Sequence, residues 1–227
     1  MRPYIISHMM MSVDGRIDCP MVAQISGEEY YTALSSFGVS SKLSGRVTAA
    51  LECSAVKAET AADTAEPAVG HESTHKAVDS PEHTIVVDTH GRLQMASGEA
   101  DGHPLLVLLS EDVPQKHLDD LCAHNVSWIA TGKGHIDLHR ATEILDSTFG
   151  IKRLVVVGGG HINGGFLEAG LVDEVSVMVA PEIDGREGET AVFDGCTWSA
   201  GSPYRLQLQS VERVPGTEVI WIRYQCK

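Results

Sequence analysis

An α/β fold with a mostly parallel central sheet, closed by an antiparallel hairpin at its C-terminal edge, is what this sequence of 227 residues predicts. Three observations carry the prediction. Short unbroken apolar runs (IVV at 85–87, LLVLL at 105–109, LVVV at 154–157) have the composition of strands covered on both faces. Segments with apolar residues at helical spacing lie between them, and strand–helix alternation sets strands parallel. Near the end, VPGT at 214–217 stands between two strand-like runs, which is a hairpin signal.

In chain order, strands are predicted at Pro3–Met11, Thr84–Asp88, Pro104–Leu109, Val126–Ala130, Arg153–Val157 and Glu174–Ala180, then a pair near Tyr204–Val214 and Glu218–Gln225. A helix is predicted over Pro114–His124, where Leu118 and Leu121 fall at helical spacing. A second runs over Asp137–Phe149, with Asp137 as its cap and Leu138, Ala141, Ile144, Leu145 and Phe149 along one face. Two shorter helices are expected, one from the Thr48 cap through Leu51 and Glu52 and one over His161–Ala169. Ser54–His83 breaks this rhythm. It is rich in Ala, Thr, Glu, Ser and His and holds no aromatic residue, so it reads as a flexible surface insertion with a weak helix, or as a lid. The chain as a whole, 1–227, reads as a single domain carrying that insertion at 54–83.

Composition excludes several classes of partner. With 43% hydrophobic and 21% charged residues the chain is an ordinary globular protein able to bury a sizeable core. A formal net charge of −14 repels nucleic acid and anionic membranes. No apolar run approaches the roughly 18–20 residues that span a bilayer. The N-terminal stretch MRPYIISHMMMS lacks a small-residue cleavage site, so it reads as a first core strand and the protein as cytoplasmic. The five cysteines (Cys19, Cys53, Cys122, Cys196, Cys226) include no C-x-x-C pair, which predicts free thiols and no metal. The histidines, His71, His75 and His83 among them, show no ligand spacing and read as solvated surface groups.

Chemistry concentrates at three turns. After the strand 153–157 come Gly158, Gly159 and Gly160, leading into a helix. Such a turn lets a ligand's phosphates approach backbone, where the first N–H groups and the positive end of a helix receive the charge. The other account of these glycines is a tight turn with close helix–sheet packing, and the pattern is not the G-x-G-x-x-G fingerprint. The second turn is Gly45-Arg46 before Thr48, with Arg46 as a forked donor and Thr48 as a neutral one. The third is Asp14-Gly15, which leaves Ser12 and Asp14 at the carboxyl end of the first strand.

In this order the three pieces resemble the reductase domain of riboflavin-biosynthesis enzymes, a family with a dihydrofolate-reductase-like fold. Ser12-Val13-Asp14-Gly15-Arg16 is similar to the family's S/T-L-D-G-K/R, and Gly45, Thr48 and Glu52 match its G-x-x-T turn with a following acidic residue. Asp88-Thr89 matches its D-S/T, and Gly158–Gly164 with Glu168–Pro181 matches its glycine block, E-G-L-V-D-E run and A-P ending. The resemblance spans nearly the whole chain. It implies a three-layer α/β sandwich, an NADPH-dependent reductase of a small-molecule substrate and a homodimer.

Carried over residue by residue, the resemblance places Ser12, Ser26, Gly45, Arg46, Thr48, Glu52, Thr89, Gly158, Gly159, Gly160, His161, Ile162, Asn163 and Gly164 on the NADPH side. Asp14 is its candidate catalytic acid, at the edge of a substrate pocket that also takes in Gln24 and Val157. The family reduces a ribosylamino group on a pyrimidine 5′-phosphate to a ribitylamino group. Three departures fall on the substrate side. Val157 stands where the family carries a glutamate, the basic stretch after the G-x-x-T turn gives way to the insertion, and Val22-Ala23-Gln24-Ile25 replaces aromatic or basic residues. No H-x-E with a later P-C-x-x-C is present, so zinc-dependent deamination is not implied. A pterin reductase, a non-catalytic NADPH-binding module and a plain structural domain stay open beside the leading reading.

Overall fold

The apolar runs form the core strands in a computed structural model of the chain, which describes residues 1–17, 27–60, 66–198 and 203–227. Ser26 and Gln24, expected at the site, and Cys19 lie outside the described residues. The chain divides into two compact units.

The first unit comprises Met1–Pro3 and Val39–Leu154. Its sheet has the strand order β2 (Ser41–Gly45), β5 (Thr84–Val87), β8 (His103–Leu109), β9 (Ser127–Ala130) and β4 (Ser73–His75). The first four are mutually parallel and β4 runs antiparallel against β9. Every residue of β5 and β9 is buried, as unbroken apolar runs require. A two-residue strand, β7 (Glu99–Ala100), pairs with the start of β8. Apart from this sheet, β3 (Val56–Glu59) pairs antiparallel with β6 (Leu93–Met95).

Two helices of this unit follow the predicted stripes. For α3 (Gln115–Ala123) the buried residues are Leu118 and Leu121. For α4 (Leu138–Ser147), Asp137 accepts a hydrogen bond from the Arg140 N–H at 2.9 Å, so it caps as expected. The short α2 (Arg46–Glu52) starts three residues early. Gly45 is its N-cap and Thr48 lies inside the helix, which corrects the expectation that Thr48 caps it.

The segment 54–83 also differs from expectation. In place of a bare loop with a weak helix it supplies β3 and β4, each paired to a neighbour elsewhere in the unit. His75 stacks on Trp128 with ring centroids 4.5 Å apart. His83, expected in solvent, is buried against Phe149, and burial lowers its pKa.

The second unit comprises Tyr4–Gly38 and Val155–Lys227. Its strand order is β12 (Leu206–Arg213), β13 (Ile220–Cys226), β11 (Glu174–Val179), β1 (Tyr4–Met11) and β10 (Arg153–Val156), of which Val155 and Val156 belong here. β1 and β11 are parallel, and β11, β13 and β12 alternate in direction, giving the predicted antiparallel edge. The hairpin turns through Gly216 at φ +78°, with the Thr217 N–H donating to the Val214 carbonyl at 3.1 Å.

On one face of this sheet α1 (Glu28–Ser35) packs over Met10, Met178 and Trp221, using Tyr30 and Ala33. His8 is buried there, stacked on Tyr30 at 4.8 Å, with its Nδ1 2.9 Å from Ser176 Oγ. The last helix, α5 (Gly160–Glu168), follows the glycine run. No helix among the described residues is long and apolar enough to cross a membrane.

Candidate functional site

The glycine turn of the second unit is assembled from three chain segments. β10 ends at Val156, and Gly159 takes an extended conformation as the N-cap of α5, contributing no side-chain cap. The N–H groups of Ile162 and Asn163 return to the Gly159 carbonyl at 3.0 and 3.1 Å. Those of Gly160 and His161 therefore stand at the open end, where a helix always leaves donors without internal partners. The first turn carries no acidic side chain, so nothing on the helix itself offsets its positive end. Backbone donors with no side chain in front of them fit a phosphate.

Packing accounts for part of the glycine content. A Cβ on Gly160 would lie 2.2 Å from the Ala191 carbonyl oxygen, and one on Gly164 would lie 2.0 Å from that of Asp194. Both glycines let the chain at 190–194 lie directly on α5. That segment is fastened by Asn163 Nδ2 donating to the Val192 carbonyl at 2.8 Å and by the Asp194 N–H donating to the Gly160 carbonyl at 3.0 Å. Gly158 has φ +109°, a conformation that favours glycine, and its peptide bond to Gly159 is cis. Thus the missing side chains of Gly160 and Gly164 serve helix packing, and those of Gly158 and Gly159 leave the approach to the open N–H groups of Gly160 and His161 clear.

The Asp14 turn is tied to the same segment. Ser12 is buried, and its hydroxyl donates to Asp14 Oδ1 at 2.7 Å while accepting from the Arg16 N–H at 3.0 Å. Asp14 also accepts from the N–H groups of Asp184 at 3.0 Å and Gly185 at 2.8 Å. These donors, Ser12 first, hold the carboxyl far below the usual carboxylate range. Through these bonds the carboxylate ties the first turn to residues 184 and 185. Arg16 donates to the Glu189 carbonyl at 2.5 Å, and the Ile17 N–H to that of Thr190 at 3.1 Å. The one sequence signal for the loop 182–194 is its DGREGE run, a turn signal that says nothing of the site.

In the first unit, Gly45 ends β2 opposite Val87 of β5, so Arg46 and the turn Asp88–Arg92 leave the carboxyl ends of neighbouring parallel strands. Ligands of open α/β sheets bind at such ends. The Gly91 N–H closes the turn onto the Asp88 carbonyl at 3.0 Å, and Asp88 Oδ2 accepts from the Leu93 N–H at 2.7 Å. Gly91 has φ +63°, and a Cβ there would meet the His117 ring at 2.8 Å. Thr89 is half-buried, with its carbonyl held by Ser110, and Thr48 is also half-buried. Glu52 is exposed on α2. Arg46 pairs with Glu59, which Arg92 also reaches at 2.9 Å. Neither Glu59 nor Arg92 was singled out from sequence, because the insertion hid the strand that carries Glu59.

A cavity of about 610 Å³ lies elsewhere in the second unit, lined in part by Glu28, Thr32, Met178, Arg213 and Trp221. It shares no lining residue with the glycine turn.

The sequence model of the family described as RibD C-terminal domain matches residues 3–220. The chain belongs to that family. Among curated proteins it is similar to the 2,5-diamino-6-ribosylamino-4(3H)-pyrimidinone 5′-phosphate reductase of Methanothermobacter thermautotrophicus, at 30% identity over 203 residues, covering 86% of this chain and 85% of the relative. Among solved structures it resembles Acinetobacter baumannii RibD, with a TM-score of 0.68 and 18% identity. That alignment covers 100% of this chain and 58% of the RibD chain, so the sequence spans somewhat more than half of that protein. A pyrimidine reductase-like protein of Corynebacterium diphtheriae gives a TM-score of 0.69 at 16% identity, covering 99% of this chain and 92% of the other. The likeness to these structures is one of fold, the α/β sandwich expected from sequence.

Proposed function

We propose that this RibD C-terminal domain protein is an NADPH-dependent reductase that converts the ribosylamino group of a pyrimidine 5′-phosphate to a ribitylamino group. The family match over residues 3–220, joined to 30% identity with a pyrimidinone 5′-phosphate reductase, carries the proposal. When bound, the nicotinamide supplies a hydride, and the protein supplies orientation and electrostatics. In this reading the open N–H groups of α5 hold the pyrophosphate and Gly158 and Gly159 keep side chains out of its way. Arg46, Thr48, Glu52 and Thr89 belong to the cofactor side by resemblance. Asp14 orders the loop 182–185, and Val157 presents an apolar surface where the family has a carboxylate.

Purified protein given NADPH and the ribosylamino-pyrimidine phosphate should consume NADPH, followed by its absorbance, and dihydrofolate should not replace that substrate. Turnover of dihydrofolate instead would make it a pterin reductase. Val157 favours one second reading, a cofactor-binding module with a degenerate substrate site, for which NADPH binds and neither substrate is reduced.

The proposal includes a homodimer in the cytoplasm. Strand β12 is the outermost of its sheet, and Leu206, Leu208 and Val211 on it are exposed. They pair across to Cys226, Tyr224 and Ile222, so all six share one face. The register shift between Leu208 and Ser210 keeps Val211 on that face, where strict alternation would turn it away. An apolar edge of this kind is a surface for a second copy.

A further inference from the structure

The cavity of about 610 Å³ in the second unit lies between α1 and the β12–β13 hairpin. Ala33 of α1, Met178 of β11 and Trp221 of β13 make an apolar wall. The Trp221 indole is fixed there, its Nε1 donating to Ser176 Oγ at 2.7 Å. The charged wall is Glu28 and Glu29 from the first turn of α1 and Glu212 from β12. One base, Arg213, also lines the cavity, but it is already engaged. Its Nε donates to the Thr217 carbonyl at 2.7 Å, and its fork pairs with Glu218 inside the hairpin. Glu29 Oε2 is closed off from water and, among the described residues, has no hydrogen-bond partner. A carboxylate oxygen in that position is costly until a donor reaches it.

A volume of this size suits a small organic molecule, and the walls decide its chemistry. Glu28, Glu29 and Glu212 against one paired base repel anions, a nucleotide or a pyrimidine 5′-phosphate among them. A divalent metal ion surrounds itself with oxygens, which the apolar wall does not offer. An ammonium group on an apolar body satisfies both walls. The ammonium donates to Glu29, and the body lies on Met178 and Trp221 with the charge close to the indole. We propose that this cavity is a binding site for a small organic ammonium ion, with Glu29 as the anion that receives it. Glu212 and Trp221 pair across the hairpin and point to the face opposite Val211, so the site stays open when the apolar face takes up a second copy. A ligand held between α1 and the hairpin stabilises the folded chain by mass action. The inference goes beyond the reductase reading and needs no nucleotide.

The test titrates the full chain with phenethylammonium, using uncharged phenethyl alcohol and anionic hydrocinnamate as controls of similar shape. Calorimetry reads the affinity and a thermal melt reads the stabilisation. The ammonium should bind one to one, raise the thermal midpoint and lose affinity as salt is added. Both controls should bind more weakly by roughly tenfold or more, the worth of one charge-assisted hydrogen bond. Glu29→Gln should weaken the ammonium by about the same factor and leave phenethyl alcohol unchanged. Thr32→Trp, at an exposed position on the cavity wall, should abolish binding by filling the space, with the far-UV circular dichroism of the wild type retained. No binding of the ammonium by the wild type would overturn the site, as would affinity that neither Glu29→Gln nor Thr32→Trp alters. Phenethyl alcohol binding as tightly as the ammonium would overturn the role of Glu29. A parallel NADPH titration reads the reductase proposal separately, since its failure would sink that proposal and leave the ammonium site standing.

Discussion

At the scale of single residues, two buried or tethered groups behave unlike their types. His8 is wholly buried among Tyr30, Phe37 and Trp221, and that burial lowers its pKa from 6.5 to about 4. The unfolded chain binds this proton below about pH 6.5 while the folded chain refuses it until about pH 4. The stability tied to His8 is therefore complete above pH 6.5 and is lost as pH falls from 6.5 to 4, to a total of about 3 kcal/mol. Arg223 opposes the proton as well, while the hydroxyl of Ser176 and the Tyr30 ring offer it no charge. Urea midpoints measured at intervals across this range should fall for the wild type more steeply than for His8→Gln, and parallel curves would contradict this account. Asp14 makes a second case. Its carboxylate is ionised throughout the working range, so Asp14→Asn should lower turnover by a common factor, roughly tenfold, at every pH by loosening 182–185. A variant that lost an ionisation from the pH–rate profile would instead return Asp14 to the role of acid.

At the scale of elements, α5 offers a comparison between neighbours. Gly164 and Gly165 occupy the same helix, yet a Cβ on the first would strike the Asp194 carbonyl and a Cβ on the second would meet nothing within 4 Å. Gly164→Ala should destabilise by about 1–3 kcal/mol or more, since backbone must move to admit the methyl group. Gly165→Ala should stabilise by about 0.5–1 kcal/mol through helix propensity and a less free unfolded chain. Opposite shifts in thermal midpoint check the pair, and equal ones would mean that α5 does not lie under 190–194 as described. The same elements show what was legible in the sequence. Unbroken runs such as 105–109 and 154–157 announced buried strands because burial on both faces demands apolar residues at every position. β2 was not announced, because in Ser41–Gly45 burial alternates and the residues at the buried positions are Ser, Leu and Gly. β3 and β4 were hidden for a related reason: their residues are mostly polar, and what orders them is pairing to partners far along the chain. At the site, motif spacing found the glycine turn and Asp14, whereas Glu59, Arg92 and the loop 182–194 depend on tertiary placement that no local pattern encodes.

At the scale of the whole molecule, acidity and an unfinished sheet edge bear on assembly. A net charge of −14 keeps copies apart at long range, so any self-association must come from a contact that is apolar and matched to itself. In the proposed dimer Leu206, Leu208 and Val211 with Tyr224 and Ile222 are that contact, and an edge related to its copy by a twofold axis closes after one partner. A stable dimer buries about 800 Å² on each chain. In sedimentation experiments the wild type should have twice the mass of the chain, more completely as salt screens the like charges. Leu208→Glu combined with Val211→Glu should yield a single-chain species, because two carboxylates on each copy would be brought together out of water. Far-UV circular dichroism of that variant should match the wild type, since both positions are exposed in the single chain and neither contributes to its core. A wild type that sediments as one chain at every salt concentration would remove the dimer from the proposal. A double variant that stays dimeric would move the contact to another surface, leaving the apolar edge of β12 to a different partner.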